Sequence, residues 1–306
     1  MQRESCTYNK YFEFRRKSNM RTVIITGGNS GLGFETAKKI AKDKDYRVIL
    51  ACRNPQKAEE AVRKIKEETG NENILSLQLD TASLASVRQF AKDYENLNIG
   101  RIYALLLNAG INGMHSGMTE DGMEVVFQTN HLGHFLLANL MLPFMDSDGK
   151  IFSTSSDMHD SPMGKMVWEG TEALAHPSEE SKQSRLRYSF SKLCNLYFVY
   201  ELAGRLEAES SGIRVNAFNP GMMQTNFAPV DKARAAMVKL TMPKRFGDLE
   251  KSSDAYAELV VNDELAATSA NYYDRSTTAI RSSELSYNTE NAKELWDASE
   301  RLCGLK

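Results

Sequence analysis

The sequence predicts an α/β fold, a single domain built on a doubly wound parallel sheet flanked by helices. Three observations predict it. Short β-branched or apolar runs alternate with longer helix-like stretches, the pattern of βαβ units. A cluster of glycines follows directly on the first of those runs, where a strand would turn into a helix. The 306 residues carry no repeat, low-complexity tract or linker, and suffice for one large domain with a sizeable core.

Strands are expected over residues 22–26, 47–51, 74–79, 102–107, 150–154 and 214–219, with helical patterns over 34–42, 55–68 and 84–94 between the first four. Two segments break the rhythm. Residues 157–187 are long and polar, punctuated by Ser161-Pro162 and His176-Pro177. Residues 229–250 place Ala233, Ala236, Met237 and Leu240 at helical spacing beside Lys232, Arg234 and Lys239. That second segment reads as a packed helix, a substrate lid over about 228–250, or a membrane-surface patch, and the spacing alone leaves all three open. Residues 1–20 read as an N-terminal extension, since they mix polar and aromatic residues around Arg15-Arg16-Lys17 and lack an apolar signal core. The domain proper is expected over 21–306.

A formal net charge of −2 offers no global positive excess for nucleic acid. Cys6, Cys52, Cys194 and Cys303 are scattered, without C-x-x-C or zinc spacing, which fits reduced thiols in a cytoplasmic setting. No apolar run reaches the ~18 residues that a spanning helix needs. His131 and His134 stand three apart with His159 further on, but no H-E-x-x-H or cluster of acids and cysteines accompanies them, so no metal is expected.

The glycine cluster is Thr26-Gly27-Gly28-Asn29-Ser30-Gly31-Leu32-Gly33. Gly27 permits a sharp turn, Gly31 lets the backbone approach a pyrophosphate, and Gly33 lets the helix pack close to the strand. The helix N-terminus supplies free N–H groups and a positive dipole end, with Asn29, Ser30 and Leu32 beside the phosphates. An acid at the end of the second strand would bind the ribose 2′-hydroxyl of NAD. Here the strand ends Ala51-Cys52-Arg53-Asn54, and the planar fork of Arg53 suits a 2′-phosphate, favouring NADP(H). Further on stands Tyr188-Ser189-Phe190-Ser191-Lys192. Lys192 lies one helical turn after Tyr188 on the same face, where its charge eases proton exchange by the phenol.

In this order the motifs resemble those of the short-chain dehydrogenase/reductases over about residues 21–305, which implies a Rossmann-type fold. Asp80, with Thr81 after it, resembles the adenine-contacting acid after strand three. Asn108-Ala109-Gly110 resembles the motif that closes strand four. Asn130 in Thr129-Asn130-His131-Leu132-Gly133-His134-Phe135 resembles the family's helix asparagine. Ser156, one residue of register from Ser155, resembles the catalytic serine. Pro220-Gly221-Met222-Met223-Gln224-Thr225 resembles the loop that contacts nicotinamide, with Pro220, Gly221, Met223 and Thr225 as its contacts. Ala51-Cys52-Arg53-Asn54, the Asn130–Phe135 stretch, Ser191-Lys192-Leu193-Cys194-Asn195 and the tail Leu295-Trp296-Asp297-Ala298-Ser299-Glu300 are similar to the branch of retinol dehydrogenases and light-dependent protochlorophyllide reductases. Ala138 stands where the photoenzymes usually carry cysteine, which argues against photochemistry.

The resemblance implies an NADP(H)-dependent oxidoreductase that interconverts a carbonyl and an alcohol. Tyr188 would be the general acid or base, with Lys192 holding the nicotinamide ribose. Ser156 would bond the substrate oxygen, and Asn130 would order a relay water. Met222, Met223, Phe227, Met237 and Met242 suggest an apolar, adaptable pocket for a small lipophilic ketone, aldehyde or alcohol. The alternatives are reduction of a C=C bond and a catalytically silent NADP(H) sensor. Members of the family range from monomers to homo-oligomers.

Overall fold

The computed structural model describes residues 20–178, 186–223, 240 and 245–306. All six expected strands form: β1 Arg21–Thr26, β2 Tyr46–Cys52, β3 Ile74–Gln78, β4 Ile102–Leu107, β5 Met145–Thr154 and β6 Arg214–Asn219. Two more follow, β7 Tyr272–Asp274 and β8 Ala279–Ile280. They join one sheet in the order β3-β2-β1-β4-β5-β6-β7-β8. The pairs from β3 through to β7 are parallel, and only β7–β8 is antiparallel.

A parallel sheet covered on both faces needs apolar residues on both sides of each strand, hence the near-continuous runs. Ile24, Leu105, Leu107, Ile151 and Val215 point to one face. There they meet α3 (Leu84–Leu97), α4 (residues 125–141), α6 (Arg187–Ala208) and α8 (Thr289–Leu302). Val23, Ile25, Leu50, Leu106, Phe152 and Phe218 point to the other. These meet α1 (Gly31–Ala41), α2 (Pro55–Thr69) and α7 (Leu249–Val261). A short α5 (Thr171–Ala175) lies within the polar segment after β5. It is anchored to α8 by Glu294, which accepts from the Thr171 hydroxyl (2.9 Å) and from Trp168 Nε1 (3.2 Å).

α4 is not uniform. α-Helical Val125–Phe127 and Gly133–Met141 flank a π-helical stretch, Gln128–Leu132, that carries Asn130. Single π turns inside α-helices tend to mark functional positions. β1 sits between β2 and β4, so the chain runs outward on either side of it. The crevice between the C-terminal ends of β1 and β4 is therefore the switch point where doubly wound sheets bind ligands.

Residues 1–19 of the expected extension, and 228–239 and 241–244 of the expected lid, lie outside the described residues. So do Phe227, Met237 and Met242. At the far end of the lid region Asp248 caps α7, accepting from Lys251 N at 3.0 Å. Among the described residues no helix is long and apolar enough to cross a membrane.

Candidate active site

The glycine turn is shaped to approach a ligand with its backbone. Gly27 and Gly31 have φ of 66° and 55°, which L side chains rarely adopt. A Cβ on Gly33 would lie 2.6 Å from both Gly27 O and Asn108 Nδ2, so α1 rests directly against the turn and the end of β4. Ser30 begins α1 with extended backbone, yet its hydroxyl makes no capping bond. The hydroxyl and the first amides of α1, which have no carbonyl partner within the helix, are thus left for an anion. A pyrophosphate fits this cradle.

Across the crevice, Thr26 stitches β1 to β4. Its hydroxyl accepts from Asn108 N and Ala109 N, both at 2.8 Å, and Asn108 Nδ2 donates to Thr26 O at 2.9 Å. Gly110 follows in the same partly exposed loop. His134 continues the stitch to Asn130. Its Nδ1 lies 3.1 Å from Asn130 O, a pure acceptor, so Nδ1 carries the proton and Nε2 accepts from the Thr26 hydroxyl at 2.9 Å. Burial holds His134 down at about 4, so it stays neutral.

Arg53 is exposed just past β2 and makes no hydrogen bond or ion pair among the described residues. The cap of α2 is Asn54, which accepts from Lys57 N at 2.9 Å. Arg53 is therefore not needed for capping. Half-buried Asp80 turns its carboxylate onto Ala82 N at 3.0 Å, while buried Thr81 lies under Gly133 of α4. At the end of β6, Gly221 (φ 75°) donates to Asn219 Oδ1 at 2.9 Å, and Pro220 O accepts from Ser252 Oγ at 2.9 Å. Met223 packs against the core, while Thr225 lies outside the described residues.

Four further residues meet where β5 ends and α6 begins. The Ser156 hydroxyl lies beside Tyr188 and caps a 3₁₀ turn at Met158 N (3.2 Å). Ser155 is buried instead, its hydroxyl donating to Lys192 O at 2.9 Å. Lys192 Nζ donates to Thr154 O at 3.0 Å and lies 5.5 Å from the centre of the Tyr188 ring. Asn130 is fully buried; its side chain bonds Ile111 N and O (2.8 and 2.9 Å) and Ser191 Oγ (3.0 Å). Beside Tyr188, Arg187 pairs at 2.6 Å with Glu124, which also caps the start of α4 through Phe127 N. That buried pair fixes the start of α6 against the helix that carries Asn130.

Burial raises the proton affinity of Tyr188, the Ser156 hydrogen bond lowers it in part, and the nearby Asp157 carboxylate raises it again. Burial alone pulls Lys192 down to about 8. Burial and Asp157 together outweigh the lowering by Ser156, and Tyr188 holds its proton at neutral pH.

Several contributors carried no role in the sequence reading. Thr26 and His134 sit inside the recognised motifs as unassigned letters. His159 donates from Nδ1 to Ser156 O at 2.6 Å and accepts from Ser283 N at Nε2 at 3.1 Å, holding the serine's backbone from behind. For Thr26 and His134 the signal was their place in the motifs, not any spacing of their own. The ring nitrogens of His134 and His159 are thus engaged in hydrogen bonds, and no group of three His, Cys, Asp or Glu among the described residues could hold a metal ion.

This sheet order, glycine turn and Ser–Tyr–Lys meeting point define a class, and the chain belongs to the short-chain dehydrogenase/reductase family, whose profile (short chain dehydrogenase) matches residues 21–168. Within it the chain falls in the retinol dehydrogenase-like branch. It is 34% identical over 291 residues to the WW domain-containing oxidoreductase of Gallus gallus, covering 92% of this chain and 68% of that one. Over 297 residues it is 34% identical to human retinol dehydrogenase 13, covering 94% and 85%. A crystal structure of an uncharacterized protein from Mycobacterium paratuberculosis matches with a TM-score of 0.68 at 31% identity, covering 93% of each chain.

Proposed function

We propose that this oxidoreductase uses NADP(H) to interconvert a carbonyl and an alcohol on a small lipophilic substrate, with Tyr188 as general acid in the reducing direction. The observation that carries the reading is the meeting of Ser156 and Tyr188, with Lys192 at the tyrosine ring. The nicotinamide, when bound, supplies the hydride that no side chain can. Ser156 holds the substrate oxygen beside the Tyr188 hydroxyl. Tyr188, protonated at neutral pH, gives its proton to that oxygen as charge develops there. Lys192, cationic below about 8, stabilises the phenolate left behind and binds ribose hydroxyls with its remaining protons. Asn130 holds the loop at Ile111 and the turn of α6 at Ser191 in register.

Arg53 supports the choice of NADP(H), because an unengaged guanidinium stands where an acid would select NAD. Apolar side chains near these loops support a lipophilic substrate: Met222 and Met223 are partly buried, while Met114 and Met163 are 68% and 53% exposed. The test is NADPH oxidation against a panel of apolar ketones and aldehydes, retinal among them, with NADH and Tyr188→Phe in parallel. Turnover that prefers NADPH and falls by about 10²–10⁴ in Tyr188→Phe is expected. Undiminished turnover in that variant would sink the assignment of the acid.

A further inference from the structure

Thr154 O, the last carbonyl of β5, accepts two side chains from α6: Lys192 Nζ and Asn195 Nδ2, each at 3.0 Å. In the other direction, Ser155 Oγ donates to Lys192 O at 2.9 Å. Three hydrogen bonds therefore stitch the strand end that presents Ser156 to the helical turn that presents Tyr188 and Lys192. Behind Asn195, the His131 ring lies against its side chain, and His131 Nε2 lies 3.2 Å from Ser299 Oγ on α8. All five of Ser155, Lys192, Asn195, His131 and Ser299 are buried, none more than 3% exposed.

We propose that Asn195 is a positioning residue for Lys192, and that His131 and Ser299 extend its support to α8. The inference rests on the role given to Lys192 above. A carbonyl oxygen has two lone pairs. Asn195 fills one and leaves a single site for the ammonium. Without Asn195 the free lone pair draws a second ammonium proton and pulls Nζ toward the strand, away from the Tyr188 ring. The asparagine NH₂ faces Thr154, and the buried His131 ring backs the amide. Burial keeps His131 neutral, at about 3.

The titratable groups that face Lys192 are Tyr188 on its own helix and His134 from α4, the latter neutral as well. β5 presents only the uncharged Thr154 and Ser155. Among the described residues no carboxylate counters the ammonium, so the brace holds it by geometry alone.

The test follows the Lys192 amine by NMR in full-length protein labelled with ¹⁵N at lysine Nζ, assigned with Lys192→Arg, alongside steady-state kinetics. In the wild type the amine is expected to titrate near 8. Asn195→Asp, which sets a carboxylate beside the ammonium, moves the midpoint up by about one unit or more. Asn195→Leu lowers kcat by about tenfold or more with KM for the carbonyl little changed, because the lysine is misplaced while the pocket is intact. An unmoved midpoint in Asn195→Asp, or wild-type kcat and titration in a folded Asn195→Leu, overturns the proposal. Should Asn195→Leu fail to fold, His131→Gln gives the same readouts at smaller amplitude. The titration needs no turnover. A wild type inactive on every carbonyl would defeat the proposed function, while the amine midpoint would still decide the role of Asn195.

Discussion

The two ends of the crevice are built from different materials. At the nucleotide end the working surface is backbone: two glycines with positive φ, a third with no room for a methyl group, and the open start of α1. At the proposed substrate end it is side chains: Ser156 beside Tyr188, Lys192 held by the Thr154 carbonyl that Asn195 shares, and Asn130 bonded to Ser191. A backbone site is indifferent to pH and intolerant of added atoms. A side-chain site tolerates bulk around it but depends on protons and on every partner in the chain of hydrogen bonds. Arg53 stands apart from both, an exposed side chain with no hydrogen bond or ion pair among the described residues, and the proposed function gives it the 2′-phosphate.

The sharpest way to break this comparison is to add one carbon at the backbone end. In Gly33→Ala the new Cβ would sit 2.6 Å from Gly27 O, so α1 must shift off the turn. Such overpacking costs about 1–3 kcal/mol, and the displaced amides should weaken NADPH binding by about a hundredfold. Fluorescence titration checks it; near-normal affinity would mean the cradle is not made of backbone. Next in size is Arg53→Ala. Losing hydrogen bonds to a charged phosphate costs about 1.5–3 kcal/mol, tenfold or more in NADPH affinity, and should leave NADH binding unchanged. An equal loss for both cofactors would remove the 2′-phosphate from the argument.

Legibility in the sequence followed the same division. The glycine turn and six strands were readable because short local patterns specify them: apolar runs for buried parallel strands, glycines for a backbone that must bend. β7 and β8 were not, since three and two residues carry no periodicity and become strands only by pairing outward from β6. At the site, Tyr188, Lys192 and Ser156 were legible through motif order. Thr26, His134, His159 and Asn195 were not assigned, because each acts through a partner distant in sequence. His131 and His134 were readable as a pair, but only the fold shows one turned to Ser299 and the other to Thr26.

The smallest expected effect is the one that sharpens the comparison most, because only the side-chain end should respond to pH. Burial lowers Lys192 from its ordinary value to about 8, so the cation is present below that pH and lost as pH rises through it. Tyr188 is shifted the other way and keeps its proton across the same range, so it adds no limb of its own. The pH profile of kcat/KM for carbonyl reduction should therefore show one falling limb near 8, dropping about tenfold per unit beyond it. NADPH affinity at the glycine turn should change far less over that range. In Lys192→Arg the guanidinium stays charged at every accessible pH. The limb should vanish even though the longer, forked side chain lowers the plateau. A limb that persists unmoved in that variant would assign the titration to another group and leave Lys192 a structural cation.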